Sequence, residues 1–160
     1  METKQLNPIG LDSAYSSKVS EKLNQLLSSS SVYYQNLRGL HWNISGPAFF
    51  QLHAQFELLY TRTAVSVDDI AERILTLNGK PLHTLEDLLS NSRIASSKNV
   101  AGDKEAVKVV SDNISTLLIL EREILAMASE QNDDGTADLM TRLINEQEKD
   151  HWMMRAYLGN

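Results

Sequence analysis

The chain has 160 residues, is 42% hydrophobic and 22% charged, and contains no cysteine. That size and composition fit one compact domain, 1–160, with a core of its own and an N-terminal arm over about residues 1–10. The absence of cysteine excludes disulfides, thiolate metal sites and thiol catalysis, so any metal must be held by His, Asp or Glu, and a formal net charge of −6 favours cations over nucleic-acid phosphates.

The N-terminus, METKQLNPIGLDSAYSS, has neither the basic start nor the apolar stretch of a secretory signal, and no apolar run approaches a membrane span. The expected compartment is the cytoplasm, with no membrane partner. The arm carries only Lys4 before Lys18, a poor basis for binding DNA.

Punctuation falls at SGP (45–47), NGKP (78–81) and NDDG (132–135), and between these points apolar residues recur at helical spacing. The first helix is expected from Leu11 to about Trp42, with Val19, Leu23, Leu26, Leu37 and Leu40 as its stripe; the serine run at 28–31 interrupts the pattern. A second, roughly Ala48 to Leu77, places Phe49, Phe56, Leu59, Tyr60, Thr63, Val67, Ile70, Ile74 and Leu77 on one side. A short helix follows at TLEDLL, where Thr84 can cap, with Asp87 three positions on. The third long helix runs from about Asp103 to Ser129, and the last starts after NDDG, carrying Leu139, Leu143 and Ile144 inward. Nothing alternates with the period of a strand. The expected class is all-α, four long helices with a short extra helix in the crossover between the second and third.

The polar residues of the second helix are arranged as tightly as its apolar ones. At about 100° per residue, with His53 at zero, Glu57 lies near 40°, Asp68 near 60° and Glu72 near 100°, while Phe56, Leu59, Val67 and Ile70 cluster between about 240° and 320°. All four polar candidates therefore share an arc turned away from the core. A rise of about 1.5 Å per residue nevertheless separates His53 from Asp68 by roughly 22 Å, too far for one ion to touch both on one helix. Packing a second copy of the helix antiparallel across a two-fold axis near Arg62 to Ala64 brings His53 and Glu57 of one chain to Asp68 and Glu72 of the other. Ala64 permits close approach, and Leu58 and Val65 give the same side apolar area. A turn at SGP adds His41. Two imidazoles and three carboxylates suit Fe(II), Mn(II) or Zn(II) better than calcium, and the carboxylates favour a ferric product.

The combination of His41-Trp42-Asn43, His53 twelve residues on, and Asp68-x-Ile70-Ala71-Glu72-Arg73, with GPAFFQLH, LNGKP and HWMMRAYLG around it, resembles the Dps family of mini-ferritins over nearly the whole chain. The resemblance implies a ferritin-like four-helix bundle, assembled through two-fold dimers into a hollow dodecamer. It also implies ferroxidase centres between subunits: His41 and His53 as ligands from one subunit, Asp68 and Glu72 from its two-fold mate. Glu57 stands where many members carry Asp, one methylene shorter. The implied chemistry is oxidation of Fe2+ to Fe3+, with hydrogen peroxide the preferred oxidant, and storage of ferric mineral as protection against oxidative stress. Acidic three-fold pores of such shells make Asp134 and Asp138 candidates for iron entry. The family's other activity, DNA compaction, is the alternative reading and needs a basic arm.

Several features have plainer readings. Acidic residues in DDGTAD stabilise the positive start of the last helix. His83 reads as structural or exposed. Glu148 and His151 imitate the Glu-x-x-His pair of di-iron bundles, but the matching position on the second helix is Leu75, so a site within one subunit fails. Trp152, Met153 and Met154 read as core. Metal-dependent hydrolysis is a third possibility, with no substrate-orienting loop or catalytic base to favour it.

Overall fold

Asp12 starts the first helix by accepting a hydrogen bond from the Tyr15 amide at 2.8 Å, the usual way a carboxylate satisfies an orphan N–H at a helix start. In the computed structural model, which describes residues 5–160, α1 spans Ser13–Asn43, α2 Phe49–Thr76, α3 Leu85–Asn91, α4 Asp103–Glu130 and α5 Asp134–Leu158. Lys4, the one cation of the expected arm, lies outside the described residues. Among the described residues there is no helix long and apolar enough to cross a membrane.

α1 packs along α2 and α4 along α5, while α1 also touches α4 and α3. The result is a four-helix bundle made of two hairpins, joined by a crossover that carries α3. The expected stripes face inward: Val19, Leu23, Leu26, Leu37, Phe56, Ile74, Val110 and Ile114 are fully buried. Thr84 caps α3 as expected, its Oγ1 accepting from the Asp87 amide at 3.1 Å.

Three expectations need correction. The serine run, expected to interrupt the stripe, does not interrupt the buried face of α1: the helix continues through it, as expected, with Ser28, Ser29 and Ser30 buried. Ser29 and Ser31 return their hydroxyls to the carbonyls of Gln25 and Leu27, so a small polar side chain can be buried there without leaving the helix. Ser29 Oγ also accepts from the Arg93 amide at 2.9 Å, and Asn36 donates to Ala95 O and accepts from the Ser97 amide. These bonds satisfy the irregular crossover backbone, which has no ladder of its own. The second correction is the start of α5, which begins at Asp134 rather than after Gly135, because Asp133 rather than a later residue is the cap. Third, Trp152 is 60% exposed. Met154 is buried and Met153 half-buried, as the turn of a helix through three consecutive residues requires.

Candidate metal centre

α1 ends at Asn43 and α2 begins at Phe49, and the turn between them depends on Gly46, whose φ of +100° is one that side-chain-bearing residues rarely adopt. Buried Ile44 anchors the turn, and the Ser45 amide donates to Ala101 O at 3.0 Å. The chain therefore doubles back on itself. His41 and His53 stack with ring centroids 3.7 Å apart and planes inclined by 17°.

The two histidines are also cross-bonded. His41 Nδ1 lies 2.7 Å from the carbonyl of His53, and His53 Nδ1 lies 2.8 Å from the carbonyl of His41. A carbonyl oxygen only accepts, so each Nδ1 carries the hydrogen, and in the neutral ring Nε2 keeps its lone pair. Such bonding of one imidazole nitrogen to a backbone carbonyl orients the other for a metal. Phe49 stacks on His53 at 4.9 Å and Tyr60 stands edge-on to His41 at 5.3 Å, so aromatic faces wall the pair. Trp42, beside His41, is exposed and covered by the Arg38 guanidinium at 4.8 Å.

Glu57, Asp68 and Glu72 all lie on the exposed face of α2. None of their carboxylates takes part in an ion pair among the described residues. Their neighbours differ: Asp69 pairs with Arg142 on α5, and Arg73 with Asp133. Apolar side chains share the outward face: Phe50 at 81% exposure, with Leu58, Val65 and Leu75 all more than half exposed. Phe50 was not singled out in the sequence, and Leu75 only as the residue standing where a histidine would be needed, although their positions near 60° and 40° on the same wheel put them there. Among the described residues, no three His, Asp or Glu side chains gather into a potential metal site within the chain. The histidine pair is thus assembled by the fold, without a third ligating side chain gathered around it among the described residues.

Glu148 and His151 do not form a centre of their own. Glu148 pairs with Arg122 of α4, His151 is half-buried, and exposed His83 hydrogen-bonds its local backbone at Pro81 O. Asp134 and Asp138 are exposed near the start of α5.

A clamp that the sequence did not reveal holds this end of the bundle. Asp133 is buried, and its carboxylate accepts from the Thr136 amide and hydroxyl, from Tyr15 Oη at 2.8 Å and from Arg73 at 2.6 Å. Arg73 Nε also donates to Thr136 Oγ1. Burial pushes the Asp133 acid up, but the Thr136 and Tyr15 hydrogen bonds and the Arg73 charge together hold it below its ordinary value. Gly135 leaves room for this guanidinium, since a Cβ there would sit 2.6 Å from an Arg73 terminal nitrogen. The Asp-Asp-Gly string carried a signal for a helix start, and none for a partner sixty positions earlier.

This architecture has close counterparts. A ferritin-like domain model matches residues 20–160. The chain is 46% identical to an uncharacterized protein of Haemophilus influenzae over 92% of each chain. It is 38% identical to a DNA protection during starvation protein of Porphyromonas gingivalis, covering 96% of this chain and 97% of the relative. The crystal structure of a Dps protein from Vibrio cholerae, described as one of the ferritin-like diiron-carboxylate proteins, superposes with a TM-score of 0.95 at 41% identity and covers 99% of each chain. With its two-hairpin bundle, the α3 crossover and the paired histidines at the first turn, the chain belongs to the Dps family of ferritin-like proteins.

Proposed function

We propose that the protein oxidises Fe(II) at centres shared between two-fold-related subunits and stores the ferric product as mineral inside a hollow dodecamer. Family membership supports iron storage and protection as the general role. The finer reading rests chiefly on one observation: the chain presents two histidines whose Nδ1 atoms are held by carbonyls and three carboxylates on α2 that, among the described residues, form no ion pair and gather into no metal site.

In this reading His41 and His53 of one subunit bind iron together with Asp68 and Glu72 of its mate, and Glu57 serves the second iron position. Iron is the substrate. Two ferrous ions supply the two electrons that reduce one hydrogen peroxide to water, and this pairing avoids the hydroxyl radical that a single ferrous ion would release. The exposed strip of Phe50, Leu58, Val65 and Leu75 is the apolar area such a dimer would cover. Asp138 and Asp134 are candidates for the route of entry; Asp138→Asn is then expected to slow iron uptake in intact shells. The proposed unit is one ferritin-like domain over 1–160, acting in the cytoplasm.

A mixing experiment tests the sharing of the centre. Chains carrying His41→Ala and His53→Ala are co-refolded with chains carrying Asp68→Asn and Glu72→Gln, and peroxide-dependent Fe(II) oxidation is followed. Random pairing leaves half the dimers mixed with one intact centre of two, so the mixture should recover about a quarter of wild-type activity while each parent has almost none. No recovery in a properly assembled mixture would rule out shared centres.

The alternative, DNA compaction, has no structural observation in its favour.

A further inference from the structure

Glu121, in the middle of α4, is fully buried. Its Oε1 accepts from the side-chain amide of Gln147 on α5 at 2.6 Å. Two further atoms of the same pair, Glu121 Oε2 and Gln147 Oε1, are buried with no hydrogen-bond partner among the described residues. An ionised carboxylate can only accept, and so can an amide oxygen, so the pair is left half-made if Glu121 carries a charge. One hydrogen on Oε2 changes this. A carboxylic acid and a primary amide are complementary: the acid O–H donates to the amide oxygen while the amide N–H donates to the acid carbonyl.

We propose that Glu121 and Gln147 form a buried proton-binding site, in which a neutral carboxylic acid is closed onto the amide in a two-hydrogen-bond ring that opens when the proton leaves. The proton is the ligand; its release breaks the Oε2–H bond and delivers H+ to solvent, with no change of oxidation state. This site is separate from the histidines and carboxylates discussed above and does not depend on any reading of them.

The surroundings favour the neutral acid. Burial pushes Glu121 up from 4.5 to about 8, against the smaller opposing influences of the Gln147 hydrogen bond and Arg122, while Glu146 on α5 raises it further. The charged groups nearby are otherwise committed. Arg122 pairs with Glu148, and Glu146 lies 3.8 Å from Arg142. From α2, Arg62 donates to Asp150 of α5. On α1, no charged side chain occurs between Lys22 and Arg38, and Tyr33, buried opposite, has its own ionisation pushed up. Gln147 also lines a cavity of about 20 Å³ with Arg62, Tyr33 and Asp150, which has room for one water through which the proton can exchange.

The sign of the pH effect follows directly. Between the unfolded value near 4.5 and the folded value near 8, the native chain holds a proton that the unfolded chain has lost. The stabilisation due to this proton is therefore complete below the lower value and disappears as pH rises through the upper one. Glu121→Gln replaces the acid O–H by an amide N–H and keeps the ring closed at every pH.

The test uses the assembled full-length protein. Infrared spectra at pH 7 should contain a carboxylic C=O stretch that is absent in Glu121→Gln and disappears from the wild type as pH rises past 8. In Gln147→Leu the band should persist but move to the frequency of a non-bonded acid. Melting temperature should fall with pH between 5 and 9 more steeply in the wild type than in Glu121→Gln. A wild type with no Glu121 acid band at pH 7 would overturn the proposal, as would an unmoved band in Gln147→Leu. The wild-type titration keeps the test decisive even if a variant fails to assemble.

Discussion

The crossing of α1 and α2 and the outward face of α2 supply the two halves of the candidate centre, and the two differ in how completely the chain satisfies them. At the crossing, each imidazole is oriented by the other residue's carbonyl, walled by Phe49 and Tyr60, and placed by the Gly46 turn. On the outward face, Glu57, Asp68 and Glu72 have no partner within the described residues, while adjacent Asp69 and Arg73 are paired with α5. Neighbouring residues of the same chemical type are thus sorted by the fold into used and unused. Exposed charge is common on any protein, but three unused carboxylates in line with more than half-exposed Phe50, Leu58, Val65 and Leu75 are what the proposed two-fold contact would use.

The largest effect should come from dismantling the ordered half. His41→Ala with His53→Ala removes both nitrogen ligands of the proposed centre; since loss of even an outer partner of a ligand commonly costs about 10–100-fold, peroxide-dependent Fe(II) oxidation is expected to fall on the order of a thousandfold or more. Stopped-flow absorbance would measure this, and sedimentation should show an unchanged assembly. Undiminished oxidation would remove the histidines from the centre.

Next is the clamp behind the unpaired half. Asp133→Asn leaves the mostly buried Arg73 guanidinium without its counter-charge, a change that costs about 3 kcal/mol in comparable buried pairs and is read from urea unfolding. The acid is held low in the folded chain, so its stabilisation is present above the ordinary carboxylate value and is lost as pH falls through the depressed one. The wild-type advantage over Asp133→Asn should shrink in acid.

A smaller effect distinguishes the outward face from ordinary surface. Leu58→Ser with Val65→Ser removes two exposed side chains that the protomer does not pack, so protomer folding should be nearly unchanged. The two-fold dimer should weaken by about 1–2 kcal/mol if those side chains are covered there, as measured by dissociation on dilution. Smallest is the control: Asp112→Asn breaks an exposed i,i+4 pair with Lys108, and neither stability nor oxidation should change measurably.

The helices and the arc on α2 were legible because both follow from the period of one helix. Phe56, Ile70 and Ile74 are buried and Asp68 and Glu72 exposed where the wheel puts them. What escaped depends on contacts between distant segments. Ser29 can be buried in α1 because Arg93 meets it, Asp133 because Tyr15 and Arg73 do, and Glu121 because Gln147 does. Local pattern also misread Trp152, whose size suggested burial while its position on α5 turned it outward. The approach of His41 to His53 was expected from the turn. Their exchange of carbonyl hydrogen bonds was not, since no spacing rule encodes the orientation of a ring.

That exchange carries a lesson for anyone dissecting the centre by mutation. Replacing either imidazole also strips a main-chain carbonyl of the opposite helix of its hydrogen-bond donor, so each single variant perturbs both positions and their measured effects will not sum. The rings behave as one mechanical unit, and a designer who grafts one must graft both, along with the bend that brings them face to face.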